Sequence, residues 1–290
     1  MSQGILLAGG LGTRLGPLTK ITNKHFLPIY DKPLIYYSLS NLILASVRKI
    51  VLVADHDSIP RYKHLLGDGS QWGIEIIYEI QNKPEGIPQG ISIASSHLNH
   101  EKNFMLMLGD NLVYGSFLSN EIRISDSEKS TNIYCFQVSN PEDFGVANFD
   151  DEGRVVSLVE KPKNPLSNFA ITGIYNLTSR AFEDTKYLKK SQRGEYEIVD
   201  LLNMELVRGN LRGKKLSRGI AWLDAGSPEG ILDSAQFVRT IQKRQGLLVG
   251  SPDESAWRMS FIDNNQFLRN SEKYLNSEYG RNLRKYIDQN

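Results

Sequence analysis

A glycine-rich turn close to the N-terminus has the composition of a phosphate-binding loop. An apolar run, Gly4–Ala8, leads into the turn Gly9–Gly12, and Arg14 follows. Glycines let backbone N–H groups approach anionic oxygens, and an arginine can donate two hydrogen bonds to one phosphate. The pattern G-x-x-x-x-G-K-[ST] does not fit, and the dinucleotide pattern G-x-G-x-x-G fails because Leu15 stands where its last glycine belongs. The turn therefore predicts phosphate binding without defining the ligand.

Two lysines in the next part of the chain could act together with this arginine. The segment Lys20–Pro28 contains Lys20 and Lys24 and begins soon after Arg14. Cations gathered at one strand end offset the repulsion that a triphosphate would otherwise meet. We interpret Arg14 and Lys24 as phosphate ligands, whereas a solvated basic loop is the simpler interpretation for Lys20.

Two aspartates each follow an apolar run and precede a small turn. Asp110 comes after Phe104–Leu108, and Asp224 comes after Ile220–Leu223. A single aspartate in such a position is often only a helix cap. However, Mg²⁺ prefers oxygen ligands and is usually held by one or two carboxylates together with substrate phosphates. We therefore predict that Asp110 and Asp224 bind Mg²⁺.

A third candidate element is the pair Glu160-Lys161, which a predicted strand delivers just before Pro162. Lys161 could bind a monophosphate while Glu160 accepts hydrogen bonds from a polyol. The alternative is a surface ion pair of little energetic value. His, Ser and Cys residues do not stand in a recognisable triad context, so the sequence does not indicate covalent catalysis.

The first half of the chain predicts a β/α alternation that would bring these residues together. The predicted strands, nearly continuously apolar, are Gly4–Ala8, Ile50–Ala54, Ile74–Glu79 and Phe104–Leu108, and the helical patterns lie at Leu34–Ala45, Arg61–Leu66 and Gln89–Leu98. This alternation is typical of βαβ units and a mostly parallel sheet covered on both faces. Ligands of such sheets bind outside the carboxyl ends of the strands. The glycine turn and Asp110 both occupy such positions.

The second half changes from strands to helices. Predicted strands at Asn132–Val138, Gly145–Phe149, Val155–Glu160 and Phe169–Leu177 are separated by turn signals, which favours a β-rich extension of the same sheet. Beyond Asp224, apolar residues at helical spacing predict a helix at Pro228–Gln245, with further helices near Pro252–Met259 and Ser271–Ile287. This C-terminal part suits a lid, a docking platform or an oligomer interface.

Bulk composition narrows the class of protein. With 34 Lys and Arg against 33 Asp and Glu, the net charge of +1 gives no global attraction to nucleic acid or to an anionic membrane. The single cysteine, Cys135, lies in an apolar run and is consistent with a reducing compartment. We find neither a signal-peptide pattern nor an apolar stretch of the ~20 residues that a membrane span requires. The sequence thus predicts a cytoplasmic protein.

Several motifs occur in a fixed order along almost the whole chain. They are L-A-G-G-x-G-T-R-L at Leu7–Leu15, L-G-D-N at Leu108–Asn111, E-K-P at Glu160–Pro162, T-G-I-Y at Thr172–Tyr175, R-G-E-x-E-I at Arg193–Ile198 and A-W-L-D-x-G at Ala221–Gly226. In order and spacing they resemble the bacterial glucose-1-phosphate thymidylyltransferases, a family of sugar-1-phosphate nucleotidyltransferases. These enzymes join a hexose 1-phosphate to a nucleoside triphosphate and release pyrophosphate.

The resemblance implies an α/β fold of the Rossmann-like nucleotidyltransferase type, with a mixed, mostly parallel sheet flanked by helices and a C-terminal helical region. It divides the chain into a core over residues 1–226 and a helical oligomerisation or regulatory region over 227–290. Within the core, residues 1–130 would bind the nucleotide and 131–226 the sugar. It further implies a homotetramer, a Mg²⁺ cofactor, dTTP and glucose 1-phosphate as substrates, and a place in dTDP-rhamnose or other cell-surface polysaccharide biosynthesis.

The resemblance also implies a role for each matching residue. Arg14, Lys24 and Lys161 would be catalytic, and Asp110 and Asp224 would hold the metal. The nucleotide would be bound by Leu7, Gly9, Gly10, Gly12, Thr13, Arg14, Lys24, His25, Gln81, Gly86 and Asp110, with Gln81 and Gly86 at the base. The sugar phosphate would contact Asn111, Gly145, Glu160, Lys161, Ile171, Tyr175 and Trp222.

Some positions depart from the family pattern and leave the substrate pair open. His25 stands where many members have Gln, Pro88 interrupts the pattern G-x-A-Q-A, and Asp143-Phe144 replaces Arg-Tyr. UTP, CTP or another hexose 1-phosphate are alternatives, as is a nucleotide-sugar-binding regulatory protein without turnover. A dinucleotide-dependent oxidoreductase is disfavoured by the failed glycine pattern.

Overall fold

The structure of the protein, a computed structural model, describes residues 2–10, 12–115, 122 and 128–288. Its strands are β1 (Gln3–Leu7), β2 (Pro28–Ile29), β3 (Lys32–Pro33), β4 (Lys49–Ala54), β5 (Glu75–Ile80), β6 (Phe104–Leu108), β7 (Asn111–Tyr114), β8 (Thr131–Gln137), β9 (Gly145–Phe149), β10 (Val155–Glu160), β11 (Phe169–Leu177), β12 (Leu211–Lys215) and β13 (Ala221–Asp224). Its α-helices are α1 (Ile35–Leu44), α2 (Ile59–Leu66), α3 (Ile87–Ala94), α4 (Ala181–Asp184), α5 (Ile198–Val207), α6 (Pro228–Gln245), α7 (Pro252–Arg258), α8 (Asn264–Glu272) and α9 (Glu278–Asp288).

Within the described part of the chain, nine strands form one mixed sheet. Its main path runs β10-β9-β11-β6-β1-β4-β5, and β8 joins it by pairing with β11 and with β12. The pairings show that β10 and β11 run opposite to the other strands of this sheet. The predicted mixed, mostly parallel sheet is thus confirmed, as is the prediction that the β-rich second half extends it.

The register of the central strands places the loops that follow β1, β4 and β6 at the same edge of the sheet. Leu7 at the end of β1 lies opposite Val53 of β4 and Leu108 of β6. The residues that follow these strands therefore emerge side by side, and Gly109 N–H donates to the Leu7 carbonyl over 2.8 Å. The glycine turn and Asp110 are neighbours because β1 and β6 are parallel and adjacent.

Alternate residues of the central strands pack against different helices. Leu6 and Leu52 face α1, α2 and α7, whereas Ile5 and Val51 face α3, α4 and α5. All four side chains are fully buried. Burial on both faces explains why these strands appear as continuous apolar runs in the sequence.

A second, two-stranded sheet lies beside the main one. In it β7 pairs antiparallel with β13, and Asp224 stands opposite Asn111. The apolar run that precedes Asp224 is therefore not a strand of the main sheet. Instead, its pairing with the strand that follows Asp110 carries Asp224 to the site of the first aspartate.

The C-terminal helices pack directly on the core. Helix α6 has the predicted bounds: the Ser227 side chain accepts a hydrogen bond from Gly230 N–H, and Gly246 ends the helix in a left-handed conformation with φ of 68°. The single helix predicted at Ser271–Ile287 is wrong, because α8 begins earlier and α9 is separate. Asp263 starts α8, since its side chain accepts a hydrogen bond from the Gln266 N–H over 2.7 Å.

Among the described residues, we find no helix that combines the length and apolar character needed to cross a bilayer.

Candidate active site

A cavity of about 330 Å³ opens at the carboxyl ends of β1 and β6 and gathers most of the residues selected from the sequence. The predicted residues that line it are Leu7, Gly9, Arg14, Lys24, His25, Gln81, Gly86, Asp110, Asn111, Gly145, Glu160, Lys161, Ile171, Tyr175, Trp222 and Asp224. Three predicted nucleotide ligands, Gly10, Gly12 and Thr13, are not among its lining residues, and neither is the exposed Lys20.

The two aspartates lie side by side within the cavity. Ala225 N–H donates to the Asp110 carbonyl over 3.3 Å, so the loop after β13 rests on the loop after β6. Lys24 Nζ pairs with Asp110, and Arg14 Nη2 lies 3.4 Å from Asp224 Oδ2. Two carboxylates and two cations thus alternate in one small volume. The side chains predicted to bind phosphate and metal come from four separate stretches of the chain.

The two carboxyl groups differ in their protonation behaviour. Burial raises the pKa of Asp224, and the negative charge of Asp110 raises it further against the opposing effects of Arg14 and Lys24. Burial would also raise the pKa of Asp110, but Lys24, together with His25 and a hydrogen bond from Asn111, outweighs burial and lowers it. Two acids this close disfavour simultaneous ionisation, and a bound cation relieves that cost.

Arg14 and Asp224 approach each other closely where glycine occupies position 226. A Cβ atom at Gly226 would lie 2.4 Å from Arg14 Nη2 and 3.0 Å from Asp224 Oδ1. The Gly226 N–H also donates to Asp224 Oδ1 over 3.1 Å. This explains in physical terms why the aspartate is followed by a small turn.

Asn111 makes three side-chain hydrogen bonds to protein groups. Its Oδ1 accepts from Trp222 Nε1 at 2.6 Å and from the Gly173 N–H at 3.1 Å, while its Nδ2 donates to Asp110 Oδ1 at 3.1 Å. A Cβ atom at Gly173 would lie 2.5 Å from Asn111 Nδ2, so only glycine fits there. Asn111 and Trp222 line the cavity, and their hydrogen bonds orient the Asp110 carboxylate.

The glycine turn is tied to the cationic segment by Asn23. Asn23 Nδ2 donates to the Ala8 carbonyl over 3.1 Å and to Asp55 Oδ2 over 2.9 Å, and its Oδ1 accepts from the His25 N–H over 3.1 Å. Gly12 adopts a left-handed conformation with φ of 57°, which suits glycine. Lys24 is thereby fixed beside the turn, with its Nζ 4.0 Å from an ideal Cβ position at Gly10.

His25 is a buried, neutral imidazole. Burial, followed by the positive charge of Lys24, lowers its pKa to about 3. Its Nδ1 lies 2.6 Å from Asn23 Oδ1. Because that oxygen already accepts from a backbone N–H, Nδ1 must be the protonated ring nitrogen, and Nε2 is left as an acceptor. His25 therefore contributes a fixed hydrogen-bonding group to the cavity and no charge.

The opposite end of the cavity holds Glu160 and Lys161. A Cβ atom at Gly145 would lie 3.1 Å from Glu160 Oε2, so glycine at 145 leaves room for this carboxylate. Burial and the negative charge of Glu197 raise the pKa of Glu160. Lys161 has a positive φ of 43°, a conformation that non-glycine residues rarely adopt and that is often found at functional sites. It makes no ion pair within the described part of the chain.

Most residues of the segment 193–199, to which the residue types alone assign no role, also line the cavity. Arg193 Nη1 lies 3.2 Å from Glu160 Oε1 and 3.5 Å from Glu197 Oε2. Arg193 is thus a second cation, besides Lys161, at this end of the cavity. The motif R-G-E-x-E-I marked this segment as part of the resemblance, and it was the only signal in the sequence that could have identified Arg193.

Most of the positions that depart from the family pattern reach the cavity, whereas Pro88 is not among its lining residues. Asp143 and Phe144 line it, and the Phe144 ring centroid lies 5.2 Å from that of Trp222. Asp143 Oδ2 accepts a hydrogen bond from Asn140 Nδ2 over 2.7 Å. Pro88 lies in the first turn of α3, where its missing N–H needs no partner.

The donor set at Asp110 and Asp224 suits a hard divalent cation that is completed by substrate. Among residues 2–10, 12–115, 122 and 128–288, no group of three or more His, Cys, Asp or Glu side chains could hold a metal ion. A site with two carboxylates instead requires water and phosphate oxygens as its remaining ligands. This is the usual arrangement of a magnesium site in enzymes that act on nucleotides.

The fold and this arrangement of cations and carboxylates define a class of enzymes that handle phosphorylated substrates. The sequence model of the nucleotidyl transferase family matches residues 3–241. The chain therefore belongs to the nucleotidyl transferase family, as the resemblance predicted.

Individual relatives narrow the comparison. A glucose-1-phosphate thymidylyltransferase of Mycolicibacterium smegmatis is 44% identical over 286 residues, which cover 99% of each chain. That of Mycobacterium tuberculosis strain H37Rv is 42% identical over 288 residues, covering 99% of this chain and all of the relative. Among solved structures, a Bacillus anthracis protein crystallised with sucrose has a TM-score of 0.76 at 33% identity, covering 82% of this chain and 96% of that one. UDP-glucose pyrophosphorylase with UDP-glucose has a TM-score of 0.72 at 24% identity, a likeness in fold alone, covering 84% and 100%.

Proposed function

We propose that the protein transfers a thymidylyl group from dTTP to glucose 1-phosphate, giving dTDP-glucose and pyrophosphate. The full-length relatives named for this activity support the proposal. The observation that carries it is the convergence of Arg14 and Lys24 with Asp110 and Asp224 at one end of a cavity whose other end holds Lys161 and Arg193. Two phosphorylated molecules can meet between these cations.

The main requirement of the reaction is relief of the electrostatic repulsion between its two phosphorylated substrates. A phosphate oxygen of the sugar phosphate attacks the α-phosphorus of the triphosphate in line, and pyrophosphate leaves from the opposite side. The attacking oxygen is already anionic near neutral pH, so no general base is required. Two unit charges ~4 Å apart repel by about 4 kcal/mol at an effective dielectric of about 20, and several such pairs meet here.

The chain's own cations offset this repulsion from both sides. Arg14 and Lys24 bind the triphosphate beside the glycine turn, while Lys161 and Arg193 bind the phosphate of the sugar. Glu160 accepts hydrogen bonds from sugar hydroxyls, the role predicted for it from its residue type. Holding both reactants in line contributes alignment as well as charge stabilisation.

A divalent metal, specifically Mg²⁺, belongs to this proposal. Asp110 and Asp224 would hold it, together with phosphate oxygens of the nucleotide. When bound, it supplies positive charge to the phosphates and orients them. Asn111 serves this function by fixing the Asp110 carboxylate.

The organisation of the chain and its cellular role are further parts of the proposal. We assign nucleotide binding to residues 1–130, sugar binding to 131–226, and oligomerisation or regulation to 227–290, in a cytoplasmic homotetramer. The product would enter deoxysugar synthesis for cell-surface polysaccharides, by way of dTDP-rhamnose. The full-length likeness to thymidylyltransferases supports the assignment to nucleotide-sugar synthesis.

A substrate panel tests the reaction and its specificity together. The purified protein is incubated with Mg²⁺, each of the common nucleoside triphosphates and several sugar 1-phosphates, and pyrophosphate release is followed. We expect the highest kcat/KM for dTTP with glucose 1-phosphate. A higher value for another pair would reassign the substrates, and no release with any pair would favour the non-catalytic binding protein. Omission of the metal should abolish release.

A further inference from the structure

Gln81, the predicted contact of the nucleobase, has an amide whose orientation is defined by its neighbours. The side chain is buried at the cavity wall, and its Nε2 lies 2.6 Å from Gln89 Oε1. Its own Oε1 points towards Gly9, since a Cβ atom there would lie 2.8 Å from that oxygen. Which end of the amide faces the ligand therefore depends on Gln89.

Gln89 is itself held in one orientation by Glu85. The Glu85 backbone N–H, which can only donate, lies 3.0 Å from Gln89 Oε1, and the Glu85 carboxylate oxygen Oε2, an acceptor when ionised, lies 3.1 Å from Gln89 Nε2. A flipped Gln89 amide would oppose donor to donor and acceptor to acceptor. Gln89 Oε1 is thus an acceptor, and Gln81 must donate to it.

Glu85 is anchored in turn by the segment that carries Arg193. Lys190 Nζ lies 2.6 Å from Glu85 Oε1, and the Tyr196 N–H donates to the Glu85 carbonyl over 2.8 Å. The adjoining Gly86 has a φ of 106°, and a Cβ atom there would lie 2.1 Å from the Tyr196 carbonyl oxygen. The loop that bears Glu85 is therefore closely packed against this segment.

We propose that Glu85 and Gln89 are positioning residues that select the nucleobase through Gln81, an inference that rests on the proposed function. The hydrogen-bond chain from Lys190 through Glu85 and Gln89 commits one Gln81 amide hydrogen to protein and leaves Gln81 Oε1 as the acceptor. An acceptor complements the N3–H donor shared by thymine and uracil. It opposes the N3 acceptor of cytosine, and a site that leaves a buried polar group unpaired rejects such an analogue strongly.

The substitution Gln89→Met removes the hydrogen bond that orients Gln81, and also both hydrogen bonds to Glu85, while keeping a similar side-chain volume. We expect the ratio of kcat/KM for dTTP to that for dCTP to fall by about tenfold or more, because either end of the Gln81 amide can then face the base. The kcat/KM values for UTP and for dTTP should change by the same factor, since both bases carry N3–H. The KM for glucose 1-phosphate should stay within about twofold of wild type, because the sugar end of the cavity is untouched.

Glu85→Gln provides a second variant in case Gln89→Met fails to fold, because the Glu85 side chain is partly exposed. It should lower the same ratio by a smaller factor, since the backbone N–H of residue 85 still holds Gln89. The matched control is Glu183→Gln, which breaks a similar ion pair to Lys186 at the surface and should leave the ratio unchanged.

The outcomes separate the inference from the function on which it rests. Absence of pyrophosphate release by the wild-type protein with every triphosphate would defeat the proposed function. An active wild type that prefers dCTP would overturn the inference and keep the reaction class. An active, dTTP-preferring wild type whose ratio is unchanged in Gln89→Met and Glu85→Gln would overturn the inference alone.

Discussion

At the scale of single residues, the candidate site is a balance of opposite charges at short range. Lys24 contacts Asp110, and Arg14 contacts Asp224, while the two aspartates affect each other's ionisation. The same cations and carboxylates are the groups that a triphosphate and a divalent ion would engage. Their arrangement would let substrate and metal replace the existing partners without leaving a buried charge unpaired, which would be costly.

The first prediction concerns the carboxylate pair. Asp110→Asn and Asp224→Asn should each lower kcat by about 10²-fold or more, because each would remove one of the two carboxylates that we propose to hold the metal. Pyrophosphate release at saturating Mg²⁺ measures the effect, and thermal unfolding checks that the fold is intact. The exposed Asp57 gives the control Asp57→Asn, which should turn over normally. Wild-type turnover in either site variant would contradict the metal assignment.

The second prediction concerns pH and His25. Its pKa of about 3 means that the ring stays neutral at every pH above that value. The pH dependence of kcat/KM from about pH 5 to pH 9 should therefore be the same in wild type and His25→Gln, without the inflection near 6.5 of an ordinary imidazole. An inflection in wild type that His25→Gln lacks would refute this.

The free energy of unfolding, unlike kcat/KM, should depend on His25 as the pH falls. The unfolded chain binds a proton on this ring below about pH 6.5, whereas the folded protein resists protonation down to about pH 3. The free energy of unfolding should consequently decrease as the pH falls through this range, and the decrease should be smaller in His25→Gln. Urea denaturation at several pH values measures both.

At the scale of elements, the sequence predicts those features that depend on local patterns. Helix α6 has local start and stop signals in Ser227 and Gly246, so its bounds follow from the sequence. The convergence of the glycine turn with Asp110 also follows, because both stand at strand ends of a predicted parallel sheet. Asp224 is different: its position depends on the non-local pairing of β13 with β7, and no pattern within either short strand specifies that register.

The same limit explains what the sequence analysis missed. Arg193 lies in an irregular segment whose position is set by Lys190 and Tyr196 contacting Glu85, more than a hundred residues earlier. Helix α8 has few apolar residues and is identified mainly by its cap, Asp263. The position of Arg193 thus depends on tertiary contacts, and α8 lacks the apolar periodicity from which a helix is inferred.

The third prediction belongs to the docking of the C-terminal helices. Asp253 of α7 accepts hydrogen bonds from Trp72 Nε1 at 2.9 Å and from Tyr279 Oη of α9 at 2.8 Å, and all three side chains are buried. Tyr279→Phe removes one of these bonds and leaves the carboxyl group less satisfied. We expect a loss of about 1–3 kcal/mol in the free energy of unfolding.

Urea denaturation followed by far-UV circular dichroism tests this value. Tyr187→Phe is the matched control, because Tyr187 is exposed and its hydroxyl bonds to Glu183 at the surface. Its stability should stay within about 0.5 kcal/mol of wild type. Equal stabilities of Tyr279→Phe and the control would show that the buried network does not hold α9 in place.

At the scale of the whole molecule, the C-terminal helices and the nucleotide-binding core share buried surface. Val238 of α6 is fully buried in one cluster with Ile29, Leu34 and Leu112. The buried Lys32 of β3 lies 2.5 Å from Asp31 Oδ1 and 3.1 Å from Gln242 Oε1 of α6. Whatever further role the C-terminal helices have, they complete the core.

The fourth prediction follows from this shared core. A chain ending at residue 226 should fail to fold, because it would expose the apolar surface that α6 covers and leave Lys32 without Gln242 in a site where a charge is costly. The full chain should unfold in urea in a single transition, with the same midpoint by far-UV circular dichroism and by fluorescence of Trp72, Trp222 and Trp257. A soluble 1–226 fragment with cooperative unfolding, or two separate transitions in the full chain, would instead establish residues 227–290 as an independent unit.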